Sequence, residues 1–218
     1  MTMRRPLALL LTMILVIHVT TARAGFITFT DETLFQAAVS GAVTDTFDDL
    51  VINNTVSSPL TRTVGSYQYT ATAATGNFYT VGSAGDVWLS TDNATVSLGF
   101  SINLGSPTAM GGFFFDSDSS GNAALGAISV SINGGQFLQT VSTSSATNFF
   151  GWVSDDNTPI TNFQVSTSTP SRYATVNDLV FAQATSSTVP EIDPAGMGSV
   201  LALLGGGLGL LERRRRRA

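Results

Sequence analysis

Carboxylates carry most of the chemistry this sequence could perform, and they fall in two groups. The first is Asp116-Ser117-Asp118-Ser119-Ser120-Gly121. Its D-x-D-x-S-G spacing matches the first half of a calcium loop, where alternate oxygens face the ion and glycine makes the sharp turn. An EF-hand needs Glu at the twelfth position, and Ala127 stands there. That leaves a hairpin-loop calcium site using Asp116, Asp118 and Ser120, with further ligands lent by another loop. The same residue types also make an ordinary solvated turn between strands. The second group is Asp45, Asp48 and Asp49 with Asn177 and Asp178. These come together if the first and last strands of a jelly roll lie side by side. A calcium ion coordinated by Asp48 and Asp178 would then offset the crowded negative charge, and plain surface turns are the competing reading. No other cofactor is implied.

Absences exclude most other reactions. The chain has no cysteine and no lysine, and its one histidine, His18, lies in an apolar stretch near the N-terminus. From Gly25 to Ser187 there is therefore no Ser-His-Asp hydrolysis, no histidine- or thiolate-held zinc and no Schiff-base lysine. A carboxylate pair of the glycosidase kind remains, but no Asp or Glu sits in a recognisable motif. Between Gly25 and Ser187, eleven aspartates and one glutamate face only Arg62 and Arg172. That imbalance repels polyanions and disfavours a nucleic-acid partner. Trp88, Trp152, Tyr67, Tyr69, Tyr79 and Tyr173 could stack on sugar rings if several line one face, whereas aromatics at strand phase also serve as core or cross-strand pairs.

The elements that must position these residues are bounded by two unusual ends. Arg4 and Arg5 precede the apolar run Leu7 to Val19, and Ala22-Arg23-Ala24 supplies an A-x-A cleavage site before Gly25. Residues 1–24 therefore read as a secretory signal peptide. At the other end, Gly196 to Leu211 carries no charge and is followed by Arg213 to Arg217. As a helix this run is roughly 24 Å long, close to the hydrocarbon thickness of a bilayer. The reading is a single transmembrane helix anchored on the cytoplasmic side by Arg213, Arg214, Arg215, Arg216 and Arg217. Thr185 to Val189 is a polar linker before it.

Between the ends, residues 25–187 are long enough for one domain with its own core. Short alternating segments recur at sandwich spacing. Examples are Phe26–Thr30, Ser66–Thr72, Thr95–Asn103 and Thr175–Phe181. Asn133-Gly134-Gly135 is the strongest hairpin signal, and Thr30 or Asp31 can cap one short helix through Val39, with Leu34, Phe35 and Ala38 on one side. With about ten strands and no βαβ alternation, the expected fold is all-β, an antiparallel jelly-roll-like β-sandwich.

The tail Val189-Pro190-Glu191-Ile192-Asp193-Pro194-Ala195, with its apolar run and arginine cluster, resembles the sorting signal of PEP-CTERM proteins. These are bacterial surface proteins processed by membrane proteases called exosortases. The family pattern is Val-Pro-Glu-Pro; Val189, Pro190 and Glu191 match, Ile192 departs from it, and the second proline arrives at Pro194. The segments Asp45–Leu50, Phe149–Asp155 and Val176–Phe181 are also similar to stretches of such ectodomains, which resemble lectin-like sandwiches. The resemblance implies an exported, non-catalytic cell-surface or extracellular-matrix protein. It would be membrane-anchored, then cut at residues 188–218 by an exosortase-type protease, in association with exopolysaccharide. A carbohydrate-binding module, with or without calcium, is the alternative, and a carboxylate-based glycosidase the third. A rhomboid-type protease acting on Gly205 to Gly209 is a second sorting route.

Overall fold

The computed structural model describes residues 25–135, 137–143 and 148–185, with the side chains of 141–143 left aside. The expected signal peptide (1–24) and the expected sorting tail with its membrane helix (188–218) lie outside the described residues. Among the described residues no helix is long and apolar enough to cross a membrane.

In chain order the elements are β1 Phe26–Phe29, α1 Glu32–Ala37, β2 Val39–Asp45, β3 Thr55–Val56, β4 Leu60–Val64, β5 Tyr67–Ala73, β6 Phe78–Ser83 and β7 Asp86–Thr91. Then follow β8 Leu98–Leu104, β9 Ala109–Ser117, β10 Ala123–Ala124, β11 Gly126–Ile132, β12 Phe137–Thr143, β13 Phe149–Ser154, β14 Asn162–Thr167 and β15 Tyr173–Ala184. The strands pair antiparallel in two sheets. One has nine strands in the order β1-β13-β9-β15-β7-β6-β3, with β10 beside β9 and β2 beside β15; the other has six, β12-β11-β14-β8-β5-β4. The all-β expectation therefore holds, with more strands than the ten or so that alternation marks. β3, β4, β6 and β10 are strands that the alternation does not mark.

Alternation explains which face each strand buries. In β5, Tyr67, Tyr69, Ala71 and Ala73 are buried while Thr72 between them is exposed. The neighbouring strands of the same sheet, β8 and β14, supply Phe100 and Phe163, stacked at 4.3 Å and 4°, and the nine-stranded sheet answers with Met110, Phe114, Trp152, Val176 and Phe181. Each such side chain contributes about 1.5–3 kcal/mol on burial, so this inter-sheet layer is the main source of stability. A second, smaller cluster forms on the outer face of the nine-stranded sheet, where Phe35 of α1 packs with Phe149, Val153, Val180 and Ala182. Asp31 caps α1 by accepting the Leu34 N–H at 3.0 Å. Only Phe35 of the expected apolar side is fully buried; Leu34 is exposed. A helix of six residues offers the sheet little more than one turn, which seats one large side chain.

The last strand is the organising element. β15 runs beside β9 on one side; on its other side β7 pairs with Thr175 and Val176, and β2 takes over from Leu179. Asn177 and Asp178 fall between the two neighbours, at a register shift against β9, and Asp178 has a φ of 48°. A bulge of this kind leaves residues unpaired and re-aims their side chains. The first strand does not lie beside the last, since β1 pairs with β13; it is β2 that runs beside β15 and places Asp45 opposite Leu179.

Candidate functional site

A cleft of about 200 Å³ opens on the outer face of the nine-stranded sheet, lined among others by Tyr79, Ser90, Asp92, Ser117, Asp118 and Tyr173. Cross-strand register puts them there. Tyr79 faces Ser90, Ser90 faces Thr175, and Ser117 faces Tyr173, while the adjacent Phe78, Leu89 and Val176 point into the core. Ser90 and Ser117 lie at the floor of the cleft 3.3 Å apart, joined from beneath by the buried Thr175, whose Oγ1 is 2.8 Å from Ser117 Oγ and donates to Ser90 Oγ at 2.9 Å. The side walls are the half-buried rings of Tyr79 and Tyr173. Trp88 shares this face, opposite Val81, and meets Phe115 edge-on at 4.9 Å.

The loop after β9 forms the lip. Asp118 Oδ1 accepts the N–H groups of Ser120 at 2.8 Å and Asn122 at 3.0 Å, an Asx turn of the usual kind. Gly121, at φ +80°, lies so close over Val81 that a Cβ would come within 2.9 Å of its Cγ1. The N–H of Asn122 and then that of Ser120 stabilise the charged form of Asp118 and hold its pKa below the ordinary carboxylate range. Asp92 completes the lip, accepting from Asn77 N at 3.0 Å and from Asn93 Nδ2 at 2.7 Å. Aromatic walls, a hydroxyl floor and ionised acceptors suit a polyhydroxylated, uncharged ligand.

The carboxylates read from the sequence are dispersed. Asp116 is not in the loop at all: it belongs to β9, opposite Ala174 and Ala124, fully buried and with neither side-chain oxygen hydrogen-bonded. Burial pushes its carboxyl up, and Thr167, Arg172 and Thr169 oppose that only in part. Its carboxylate lies against Gly126, where any Cβ would collide with it. Strand alternation thus sends Asp116 inward, while Asp118 sits on the cleft and Ser120 is exposed with its N–H on Asp118. The three do not form one ligand set.

Asp45 and Asp49 are taken by Arg62. The guanidinium donates to both oxygens of Asp45 at 2.7 Å and to Asp49 at 2.6 and 3.2 Å. Tyr69 donates its hydroxyl to Asp45 at 2.8 Å, and the Phe47 ring lies 5.2 Å under the guanidinium carbon. Burial works against the Arg62 charge, but the bonds to Asp45 and Asp49 outweigh it and raise its pKa. Arg62 in turn lowers the Asp49 carboxyl.

Asp48 and Asp178 do share a neighbourhood, with Asp86. Asp48 Oδ1 accepts the Val87 N–H at 2.9 Å. Asn177 Nδ2 donates to Asp86 Oδ1 at 2.8 Å and to Asp178 Oδ2 at 3.3 Å, and the Trp88 indole donates to Asp86 Oδ1 at 2.8 Å. Burial, then the charges of Asp86, Asp48 and Glu32, push Asp178 up to about 6. Asp86, like the hydroxyl floor, carries no local sequence signal; it reads as an ordinary turn residue after Gly85.

This shift predicts a pH dependence. Asp178 holds its proton more tightly in the folded than in the unfolded chain, so its contribution to stability is full below pH 4 and is lost as pH rises through about 6. Asp116 acts in the same direction. The lowered groups Asp49, Asp118 and Asp156 lose their contributions only on acidification below about pH 4. The unfolding free energy should therefore fall from pH 4.5 to 7, by less than about 3 kcal/mol because solvent screens the partly exposed Asp178. Asp178→Asn should flatten most of that slope; an unchanged slope would refute the assignment.

No protein-family model matches the chain, and no curated protein matches it either.

Proposed function

We propose that the chain is an exported bacterial cell-surface or extracellular-matrix protein, anchored by its C-terminal helix and then processed by an exosortase-type membrane protease. The observation that carries this is the tripartite tail: Val189-Pro190-Glu191 with Pro194, the uncharged run Gly196 to Leu211, and Arg213 to Arg217. The signal-peptide pattern of residues 1–24 gives the same polarity. The test is the C-terminus of protein recovered from the surface, which should lack everything from Gly196 onward.

A second reading concerns the work of the domain itself, which we read as a jelly-roll variant because β2 and β15 are neighbours. The cleft between Tyr79 and Tyr173 supports non-catalytic carbohydrate binding, with exopolysaccharide as the ligand class. Glycosidase action requires one carboxyl to stay protonated as the acid. Asp118 is held ionised instead, which favours binding over cleavage. On a glycan array the exported protein should retain neutral polysaccharides. Tyr79→Ala and Tyr173→Ala should each weaken that binding about tenfold, the loss of one stacked ring. Product release abolished by Asp92→Asn or Asp118→Asn would instead identify an enzyme.

A further inference from the structure

The chain contains a single Asn-Gly dipeptide, Asn133-Gly134, in the turn that joins β11 to β12, the edge strand of the six-stranded sheet. Asn-Gly is the dipeptide most prone to deamidate in water, because glycine places no side chain between its own nitrogen and the asparagine amide. Gly134 and Gly135 are exposed, and a Cβ added at either would meet nothing within 4 Å, so solvent reaches the turn. Yet each group the reaction must free is already bonded to residues 159–162. The Gly134 N–H donates to Asn162 Oδ1 at 2.9 Å. Asn133 Nδ2 donates to the Pro159 carbonyl at 2.9 Å, while its Oδ1 accepts from Thr161 N at 2.8 Å and Thr161 Oγ1 at 3.2 Å. Residues 159–162 are themselves fixed. Ile160 is fully buried with its N–H on the Pro107 carbonyl at 2.7 Å, the Thr161 carbonyl accepts from Ile102 N at 2.8 Å, and Asn162 Nδ2 donates to Thr161 Oγ1 at 3.1 Å.

We propose that Asn133-Gly134 is a deamidation site kept latent by this clamp, and that the turn reacts when it opens away from residues 159–162. In the reaction the Gly134 nitrogen gives its proton to solvent base and attacks Asn133 Cγ. A new C–N bond closes a cyclic imide, and the Cγ–Nδ2 bond breaks as ammonia leaves. Water then opens the imide at either carbonyl, giving aspartate or isoaspartate, with one water consumed, one ammonia released and no change of oxidation state. The clamp opposes the first step twice. It occupies the N–H that must be lost, and it pins both ends of the amide whose carbon must swing onto that nitrogen. It also penalises the products. Aspartate at 133 would set a carboxylate oxygen where Nδ2 now donates to the Pro159 carbonyl, acceptor against acceptor. Isoaspartate would add a carbon to the backbone of the turn. A turn that has once reacted therefore does not close as before, and an opening of the sheet edge is recorded irreversibly.

The test incubates the full chain in detergent in warm, mildly alkaline buffer and reads conversion of Asn133 by peptide mass spectrometry. The folded parent should convert at least about tenfold more slowly than the same chain unfolded in urea, because reaction through an open state scales with its population. Asn162→Ala removes the acceptor of the Gly134 N–H and should speed conversion in the folded chain about fivefold, the worth of one hydrogen bond. Asn162→Asp keeps an acceptor there and should stay within about twofold of the parent. Hydrogen exchange reads the clamp with no substitution at all: the Gly134 amide should exchange far more slowly in the folded than in the unfolded parent. Equal conversion in the folded and unfolded parent overturns the proposal, and so does a Gly134 amide that exchanges equally fast in both. A folded Asn162→Ala chain that converts no faster than the parent, or an Asn162→Asp chain that converts as fast as Asn162→Ala, overturns it as well.

Discussion

Arg62→Leu should destabilise the β domain by about 3–5 kcal/mol, a large part of the 5–15 kcal/mol that typically holds a domain folded. The reason is what the substitution leaves behind. The Asp45 side chain is 4 % exposed, and its two oxygens are satisfied by the guanidinium, by Tyr69 and by the Phe47 N–H. Without Arg62 its charge is buried and uncompensated, which costs more than the ion pair contributes when intact. Arg62→Lys should recover only part of the loss, because an ammonium cannot bridge Asp45 and Asp49 with the planar fork. Asp49→Ala should cost under about 1 kcal/mol, since that carboxylate is 68 % exposed. Arg62→Leu with Asp45→Asn should be milder than Arg62→Leu alone, as it removes the orphan charge along with its partner. Urea unfolding followed by circular dichroism measures all four. A loss below about 1 kcal/mol for Arg62→Leu would show that water reaches Asp45 and that the cluster is not a structural anchor.

Replacing Pro190 and Glu191 with Ala should convert the surface form almost entirely to a full-length, membrane-held form. Under the proposed topology, residues 25–187 lie outside, Arg213 to Arg217 remain inside, and Val189-Pro190-Glu191 stands just beyond the membrane. On this proposal Pro190 and Pro194, which as prolines fix their own φ and disfavour the α region for the preceding residue, would offer the motif to the protease as an extended segment. Removing both Pro190 and Glu191 takes away that constraint and the acidic group together. Deleting Arg213 to Arg217 should instead let the helix slip through or invert, because the arginines set its orientation. Mass spectrometry of surface-extracted protein reads each case. If most wild-type molecules still end at Ala218, the tail is a plain anchor. If the Pro190/Glu191 variant is cut normally while changes at Gly205 to Gly209 block cutting, a rhomboid-type protease is responsible.

Much of the fold is legible locally, because alternation and turn chemistry depend on neighbours in the chain. Tyr67–Ala73, Gly126–Ile132 and Asn162–Thr167 are strands whose burial follows their own period. Asn133 and Gly134 take the positive φ values, 51° and 69°, that their hairpin needs. The missing cysteine and lysine, and the placement of the sole histidine at position 18, likewise limit the chemistry of residues 25–187 without reference to any structure. The candidate sites follow a different rule. Leu60, Arg62 and Val64 form one inward-leaning row of β4, and only the arrival of Asp45 from a distant strand makes a cation acceptable there. Asp116 reads as a loop ligand until β9 proves to extend through Ser117 and alternation turns its carboxylate into the core. The hydroxyls of Ser90, Ser117 and Thr175 meet because three strands far apart in sequence align in one register, and Asn177 reaches Asp86 as well as Asp178 where β15 changes partners between Val176 and Leu179. Periodicity determines which face a residue takes, a matter of backbone geometry and burial. Which charged or polar groups then face one another is decided by pairing between remote strands, and that is settled only when the two sheets close over a common core.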